Sequence, residues 1–290
     1  MAAEIIDGSG LAKRVQADVR ERVKALREAG KPVRLAAILV TRAPAGEIYA
    51  ERQAVSCREL GIDYDLIKLP DGSKFADISR EIDRLNIDTN VTGIMVHLPL
   101  PNGVEPTDVQ HRIATVKDVE GVSPANIGYV IYGREVIVPC TALAAMELVR
   151  STGYRLDGAE AVVVGASAIA GRPAALLLTQ AGATVTICHK MTRDLKSHTR
   201  RADVLVVAAG VPNLIAADHV REGAVVVDVG INRVTTLDGK TRTIGDVNFE
   251  DVKHKAAYLS PVPGGVGPMT VAMLLQNVAR SAELIAERNP

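Results

Sequence analysis

Four apolar residues, Ala161-Val162-Val163-Val164, run straight into Gly165-Ala166-Ser167-Ala168-Ile169-Ala170-Gly171 and then into a helical stretch from Pro173 to Gln180. A continuous apolar strand, a turn of small residues and a helix make up one repeat of a parallel sheet covered by helices. The strand Thr184 to Cys188 follows, then Val204 to Ala208 and Ala224 to Val229 at the same spacing, and a helix from about Ala142 to Ser151 precedes. This half of the chain predicts a doubly wound domain of the dinucleotide-binding type.

The first half alternates in the same way. A helix is predicted from about Ser9 to Ala29, where Leu11, Val15, Val19, Val23 and Leu26 recur at helical spacing and Gly30 ends the run. A strand from Leu35 to Val40, a helix from about Gly46 to Leu60, a strand from Ile62 to Leu69, a helix from Phe75 to Leu85 and a strand from Gly93 to His97 complete the pattern. Leu98-Pro99-Leu100-Pro101-Asn102-Gly103 is read as a rigid loop at a strand end, where α/β proteins place ligands. A last helix, from about Met269 to Glu287, follows the turn Pro263-Gly264-Gly265-Val266-Gly267-Pro268. The fold class is α/β, with two doubly wound domains.

Composition narrows the function. The 290 residues suffice for two domains. Lys+Arg and Asp+Glu both number 34, and a neutral chain lacks the cationic surface that bulk nucleic-acid binding requires. Aromatic residues are 3%, with no Trp, which disfavours stacking platforms for bases. Cys57, Cys140 and Cys188 are far apart and form no CxxC pair, so neither a metal site nor a disulfide framework is expected. No apolar run reaches the roughly 18–20 residues of a membrane span, and no basic-then-apolar leader opens the chain. A reduced, cytoplasmic protein without membrane or nucleic-acid partners is the expectation.

The turn at 165–171 offers backbone amides and a helix N-terminus to a pyrophosphate. Its spacing is G-x-S-x-x-x-G, not G-x-G-x-x-G, so an ordinary strand-to-helix turn stands as the alternative. The next strand leads into His189-Lys190. An acid there would favour the ribose hydroxyls of NAD, whereas a lysine pairs with the 2′-phosphate of NADP. A solvated surface lysine is the other reading of Lys190.

Pro261-Val262-Pro263-Gly264-Gly265-Val266-Gly267-Pro268-Met269-Thr270 resembles the signature of the bifunctional methylenetetrahydrofolate dehydrogenase/methenyltetrahydrofolate cyclohydrolase family. The resemblance continues through Asp7-Gly8, Pro44-Ala45, Leu98-Pro99-Leu100-Pro101, Lys117-Asp118-Val119, Pro139-Cys140-Thr141, Asp228-Val229-Gly230-Ile231-Asn232 and Gly245-Asp246-Val247. It implies a folate-binding catalytic domain over 1–140, with the C-terminal helix 268–290 packed back on it, an NADP-binding domain over 141–267, a cleft between them and a homodimer. It also implies a tetrahydrofolate substrate bound by Asp118, Pro263, Gly264 and Gly265. NADP, in preference to NAD, would be bound by Thr141, Gly165, Ala166, Ser167, Ile169, Lys190, Ile231 and Thr270.

The chain departs from that family's pattern in the substrate pocket. Tyr49 is present, but the lysine four residues on is Gln53. The glutamine before L-P-L-P is His97, the acid of K-D-V-D-G is Glu120, the serine after Pro-Ala is Gly46, and the arginine beside the phosphates is Ala166. Tyr49, Gln53, His97 and Glu120 are the candidate catalytic residues. Positions 49 and 53 share a helix face, so Gln53 is expected to point at the substrate. Hydride transfer from the folate needs positioning above all. Ring opening of the methenyl form needs a proton acceptor for water, and an amide does not titrate near neutral pH. The reading is an NADP-dependent dehydrogenase with an impaired cyclohydrolase, in which His97 is a substitute base or merely a hydrogen-bonding group. Two rivals stand beside it: an enzyme for another substrate, separable by a panel of reduced folates, and a folate- or NADP-sensing protein, which would bind without turnover.

Overall fold

The computed structural model of the chain describes residues 2–40, 44–134, 136–235, 239 and 241–288, with only the backbone of 44 and 45. The first elements are β1 (Glu4–Ile5), α1 (Gly8–Glu28), β2 (Arg34–Leu39), α2 (Pro44–Glu59), β3 (Asp63–Lys68), α3 (Phe75–Ile87), β4 (Gly93–Val96), α4 (Pro106–Gln110) and α5 (Pro124–Ile131). Next come α6 (Cys140–Ser151), β5 (Glu160–Val164), α7 (Gly171–Gln180), β6 (Thr184–Cys188), α8 (Leu195–Thr199), β7 (Val204–Val207) and β8 (Val225–Asp228). The chain closes with β9 (Asn232–Thr235), β10 (Thr241–Ile244), α9 (Phe249–Val252), β11 (Tyr258–Leu259) and α10 (Val266–Arg288). No described helix is long and apolar enough to cross a membrane.

Two compact units result, one of residues 1–13 and 139–273, the other of 14–138 and 274–290. These boundaries differ from the sequence reading, which placed the whole N-terminus in the first domain. The reason is backbone pairing: Glu4 and Ile5 of β1 lie parallel to Tyr258 and Leu259 of β11. The division also falls inside α10, after Met273, and not at 267/268.

In the unit of 139–273 the sheet order is β1-β11-β8-β7-β5-β6, with every pairing parallel. The order reverses at β5, whose neighbours β6 and β7 come from opposite sides of the winding, and such a switch point opens a crevice at the strand ends. Val162, Val164, Leu205, Val207 and Val226 share one apolar core, as alternate residues of adjacent strands must. The antiparallel pair β9 and β10 was not foreseen, because its residues alternate too weakly between apolar and polar.

The other unit holds a three-stranded parallel sheet, β3-β2-β4. Ala36, Ile38, Ile94 and Val96 meet Ile78, Ile82 and Leu85 of α3 on one face. The alternate residues, Ala37 and Met95 in register with each other and Tyr64 in register with Leu35, occupy the opposite face, and α2 packs against β2 and β3. Residues 274–288 of α10 are tied to this unit by Asn277 Nδ2, which donates to the carbonyls of Val119 and Val138 at 2.9 Å, and by a two-bond pair between Arg22 and Glu283 at 2.8 and 3.0 Å.

Candidate active site

Tyr49, Gln53, His97 and Glu120 all lie in the unit built on β3-β2-β4. α2 carries Tyr49 and Gln53 one turn apart, but their environments differ. Tyr49 is 48% exposed, while Gln53 is 4% exposed. His97 follows β4, donates its backbone N–H to Ile38 at 2.9 Å, and is also 4% exposed. The Tyr49 and His97 rings meet edge to face, 5.7 Å between centroids at 86°.

Gln53 is held at both ends. Its Nε2 donates to Met95 Sδ at 3.0 Å, and its Oε1 accepts from the Tyr64 hydroxyl at 3.1 Å. The same hydroxyl lies 3.4 Å from His97 Nε2. Sequence reasoning missed Tyr64, which is 11 residues from Gln53 and 33 from His97. Only the strand register puts it on the face where α2 packs. Burial raises its phenol above the ordinary value, with Cys57 and Tyr49 adding to the effect, and burial raises the Cys57 thiol to about 12. Burial lowers the His97 imidazole below its ordinary value, which favours the neutral ring.

Asp118, expected at the substrate, is instead fully buried and braces its own loop. It accepts from the Gly121 amide at 3.1 Å, the Ser123 amide at 2.7 Å and Asn126 Nδ2 at 2.9 Å. The neighbouring Lys117 is likewise structural, with Nζ donating to the carbonyls of Leu85, Asn86 and Asp88 at 2.7–2.9 Å. Glu120 Oε2 is shielded and has no hydrogen-bond partner among the described residues. Burial first, then Asp118, raises this carboxyl from 4.5 to about 7, against a lowering hydrogen bond from the Val96 amide.

In the other unit, a cavity of about 550 Å³ opens at the switch point, lined by Gly165, Ala166, Ser167 and Lys190 together with His189 and Thr192, which the sequence reading did not select. Gly165 has φ +113°, and a Cβ there would meet the Ala208 carbonyl oxygen at 2.0 Å. A Cβ on Gly171 would lie 1.9 Å from the Gly165 carbonyl oxygen, so α7 starts tight against the turn. The amides of residues 166–169 donate to no group among the described residues, and Ser167 Oγ accepts from the Gly171 amide at 3.3 Å. A small-residue turn with free donors before a helix fits a dinucleotide pyrophosphate. Lys190 is exposed at the rim, and its position fits a 2′-phosphate.

Ile231, 66% exposed, lines a smaller cavity of about 130 Å³ together with Pro263, Gly264 and Gly265. Those three, expected at the substrate, thus lie in the same unit as the dinucleotide cavity. Thr141, at the start of α6, Ile169 and Thr270, whose Oγ1 donates to the Val266 carbonyl at 3.1 Å, line neither cavity. The motif residues Asp228 and Asp246 are structural. Asp228 accepts from the amides of Gly230, Asp246 and Val247, and Asp246 from those of Ala209 and Gly210.

A family model described as "Tetrahydrofolate dehydrogenase/cyclohydrolase, catalytic domain" matches residues 6–120, and its "NAD(P)-binding domain" counterpart matches residues 139–286. The chain belongs to the tetrahydrofolate dehydrogenase/cyclohydrolase family. A bifunctional protein FolD of Moorella thermoacetica is 45% identical, over 97% of this chain and 99% of that protein. The crystal structure of the bifunctional FolD methylenetetrahydrofolate dehydrogenase/cyclohydrolase of Campylobacter jejuni superposes with a TM-score of 0.92 at 43% identity, covering 98% of this chain and 99% of that one. The Trypanosoma brucei enzyme, solved with NADP and an inhibitor, gives a TM-score of 0.90 at 35% identity, with 98% of each chain covered. Within this family frame, Gln53, Tyr64, His97 and Met95 form one connected cluster, so two of the sequence departures touch a common partner.

Proposed function

We propose that this chain catalyses the reversible NADP-dependent oxidation of 5,10-methylenetetrahydrofolate to the 5,10-methenyl form, and that it hydrolyses the methenyl form slowly by comparison. Family membership over the full chain supports the first reaction, and the cavity at the switch point supports the cofactor. NADP, when bound, supplies the nicotinamide ring that takes up the hydride. The amides of residues 166–169 would hold its pyrophosphate and Lys190 its 2′-phosphate. No side chain has to remove a proton in that step, so this chain's task is to orient the two rings and keep water away.

The observation that carries the second half is the state of Gln53. Hydrolysis forms a bond from water oxygen to the cationic methenyl carbon while a water O–H bond breaks, and the proton needs an acceptor. The Gln53 amide is neutral and its oxygen is already engaged by Tyr64. Loss of a general base slows such a step on the order of 10²–10⁴-fold. Any hydrolysis that persists runs through His97, the titratable ring beside Tyr49 and Tyr64. Asp118 serves this reading as a loop brace, and Glu120 as a carboxyl turned to the backbone of β4. A homodimer in the cytoplasm completes the proposal, supported by β6, which is a sheet edge with Ile187 exposed on it.

The test is turnover of methylenetetrahydrofolate with NADP, following NADPH and methenyl absorbance separately. Methenyltetrahydrofolate should accumulate in step with NADPH. Hydrolysis that keeps pace with NADPH formation would refute the uncoupling, and absence of NADPH formation would refute the dehydrogenase reading.

A further inference from the structure

The cluster around Gln53 has a proton count that leaves one arrangement. An amide oxygen only accepts, an amide nitrogen only donates, and a thioether sulfur only accepts. With Met95 Sδ 3.0 Å from Gln53 Nε2, the amide is oriented with nitrogen toward sulfur; the reverse sets oxygen lone pairs against sulfur lone pairs. Gln53 Oε1 therefore faces Tyr64 and requires its hydrogen, at 3.1 Å. The phenol has no second hydrogen, so toward His97 Nε2, at 3.4 Å, it offers only a lone pair. The hydrogen between these two atoms belongs to the imidazole.

We infer that Tyr64 is a positioning residue, which holds neutral His97 in the Nε2–H form and leaves Nδ1 as the ring nitrogen with an available lone pair. Nδ1 takes no part in the contact with Tyr64, which is made through Nε2. Hydrogen bonds thus run in one direction, from His97 through Tyr64 and Gln53 to Met95. Gln53 acquires a role in this chain that its neutrality otherwise denies it: it orients the group that orients the histidine. All four side chains lie where β3, β2 and β4 present alternate residues to α2. The use of Nδ1 as the acceptor for the water proton rests on the function proposed above, whereas the tautomer does not.

The experiment is nitrogen-15 NMR of the full chain labelled at its six histidines, at pH 7.5, with the His97 signals assigned by their loss in His97→Gln. In the wild type, His97 should show a protonated Nε2 and an unprotonated Nδ1. In Tyr64→Phe the two nitrogens should move toward averaged shifts, and methenyl hydrolysis should fall at least about 10-fold relative to NADPH formation. A proton on Nδ1 in the wild type overturns the inference, and this reading holds even if Tyr64→Phe does not fold. An unchanged tautomer in a folded Tyr64→Phe overturns it as well. If the tautomer behaves as expected while hydrolysis keeps its ratio to NADPH formation, Tyr64 is confirmed as the positioning residue and His97 is eliminated as the base.

Discussion

The Glu120 carboxylate accepts the backbone N–H of Val96, the residue before His97. β4 is a sheet edge, and its outward donors need partners. The Ile94 amide finds one in the Lys117 carbonyl at 2.8 Å, in a parallel bridge between Ile94 and Asp118. Two residues farther on, the Glu120 side chain takes over from the loop backbone as acceptor. The second carboxylate oxygen is left shielded and has no hydrogen-bond partner among the described residues.

Glu120→Gln should therefore stabilise the protein in a pH-dependent way. The Glu120 carboxyl is raised to about 7 in the folded chain, so folding favours its protonated form. That contribution is fully present below the unfolded value near 4.5 and is lost as pH rises through about 7. Glutamine keeps an acceptor for Val96 and carries no charge at any pH. Thermal unfolding should show the variant ahead by on the order of 1–3 kcal/mol at pH 8 and level with the wild type at pH 4.5. An equal difference at both pH values would show that ionisation of Glu120 is not the cause.

Gln53→Lys should raise methenyl hydrolysis relative to NADPH formation by about 10-fold or more, since it returns a titratable group to the face of α2. The structure adds a cost. Tyr64 loses its acceptor and the ammonium enters a buried site, so stability should drop by about 1–2 kcal/mol in denaturant unfolding. Hydrolysis that fails to rise in a folded variant would indicate that the surroundings of His97 and Glu120 keep a lysine at position 53 from acting as a base.

His97 gives the residual hydrolysis a pH signature. Burial lowers this imidazole below its ordinary value, and a base acts when deprotonated, so the rate should climb with pH through a midpoint below that ordinary value. His97→Gln should remove that ionisation and bring hydrolysis to the uncatalysed rate. A midpoint above 7, or hydrolysis that survives the substitution, assigns the proton to another group.

Lys190→Glu should reverse cofactor preference. Lys190 sits exposed at the rim of the cavity that also holds the Gly165 turn, where a glutamate replaces attraction for a 2′-phosphate by repulsion. Titration with NADP and NAD should show NADP weakened by on the order of 10–100-fold relative to NAD. Ala166 contributes no charge, so an unchanged ratio would place the selectivity elsewhere.

Local signals in the chain determined the parts that repeat. The apolar run at 161–164, the glycines at 165 and 171, and the alternation of strand and helix specify parallel sheets, because each is a statement about neighbouring residues. Gln53, His97 and Glu120 were picked out differently, as departures from the motifs of the family that the chain resembles. Tertiary structure alone decided what those side chains meet. Tyr64 reaches Gln53 and His97 only because β3, β2 and β4 align in one register and alternate residues face α2, a relation between strands that no spacing along the chain encodes. The closed chain likewise set Asp118 among the amides of its own loop and Glu120 against the Val96 amide of β4. β1 joined the far sheet because two residues of backbone found unpaired partners in β11. Sequence periodicity reports which face of an element is apolar, whereas hydrogen bonds between distant segments are fixed only when the chain closes on itself.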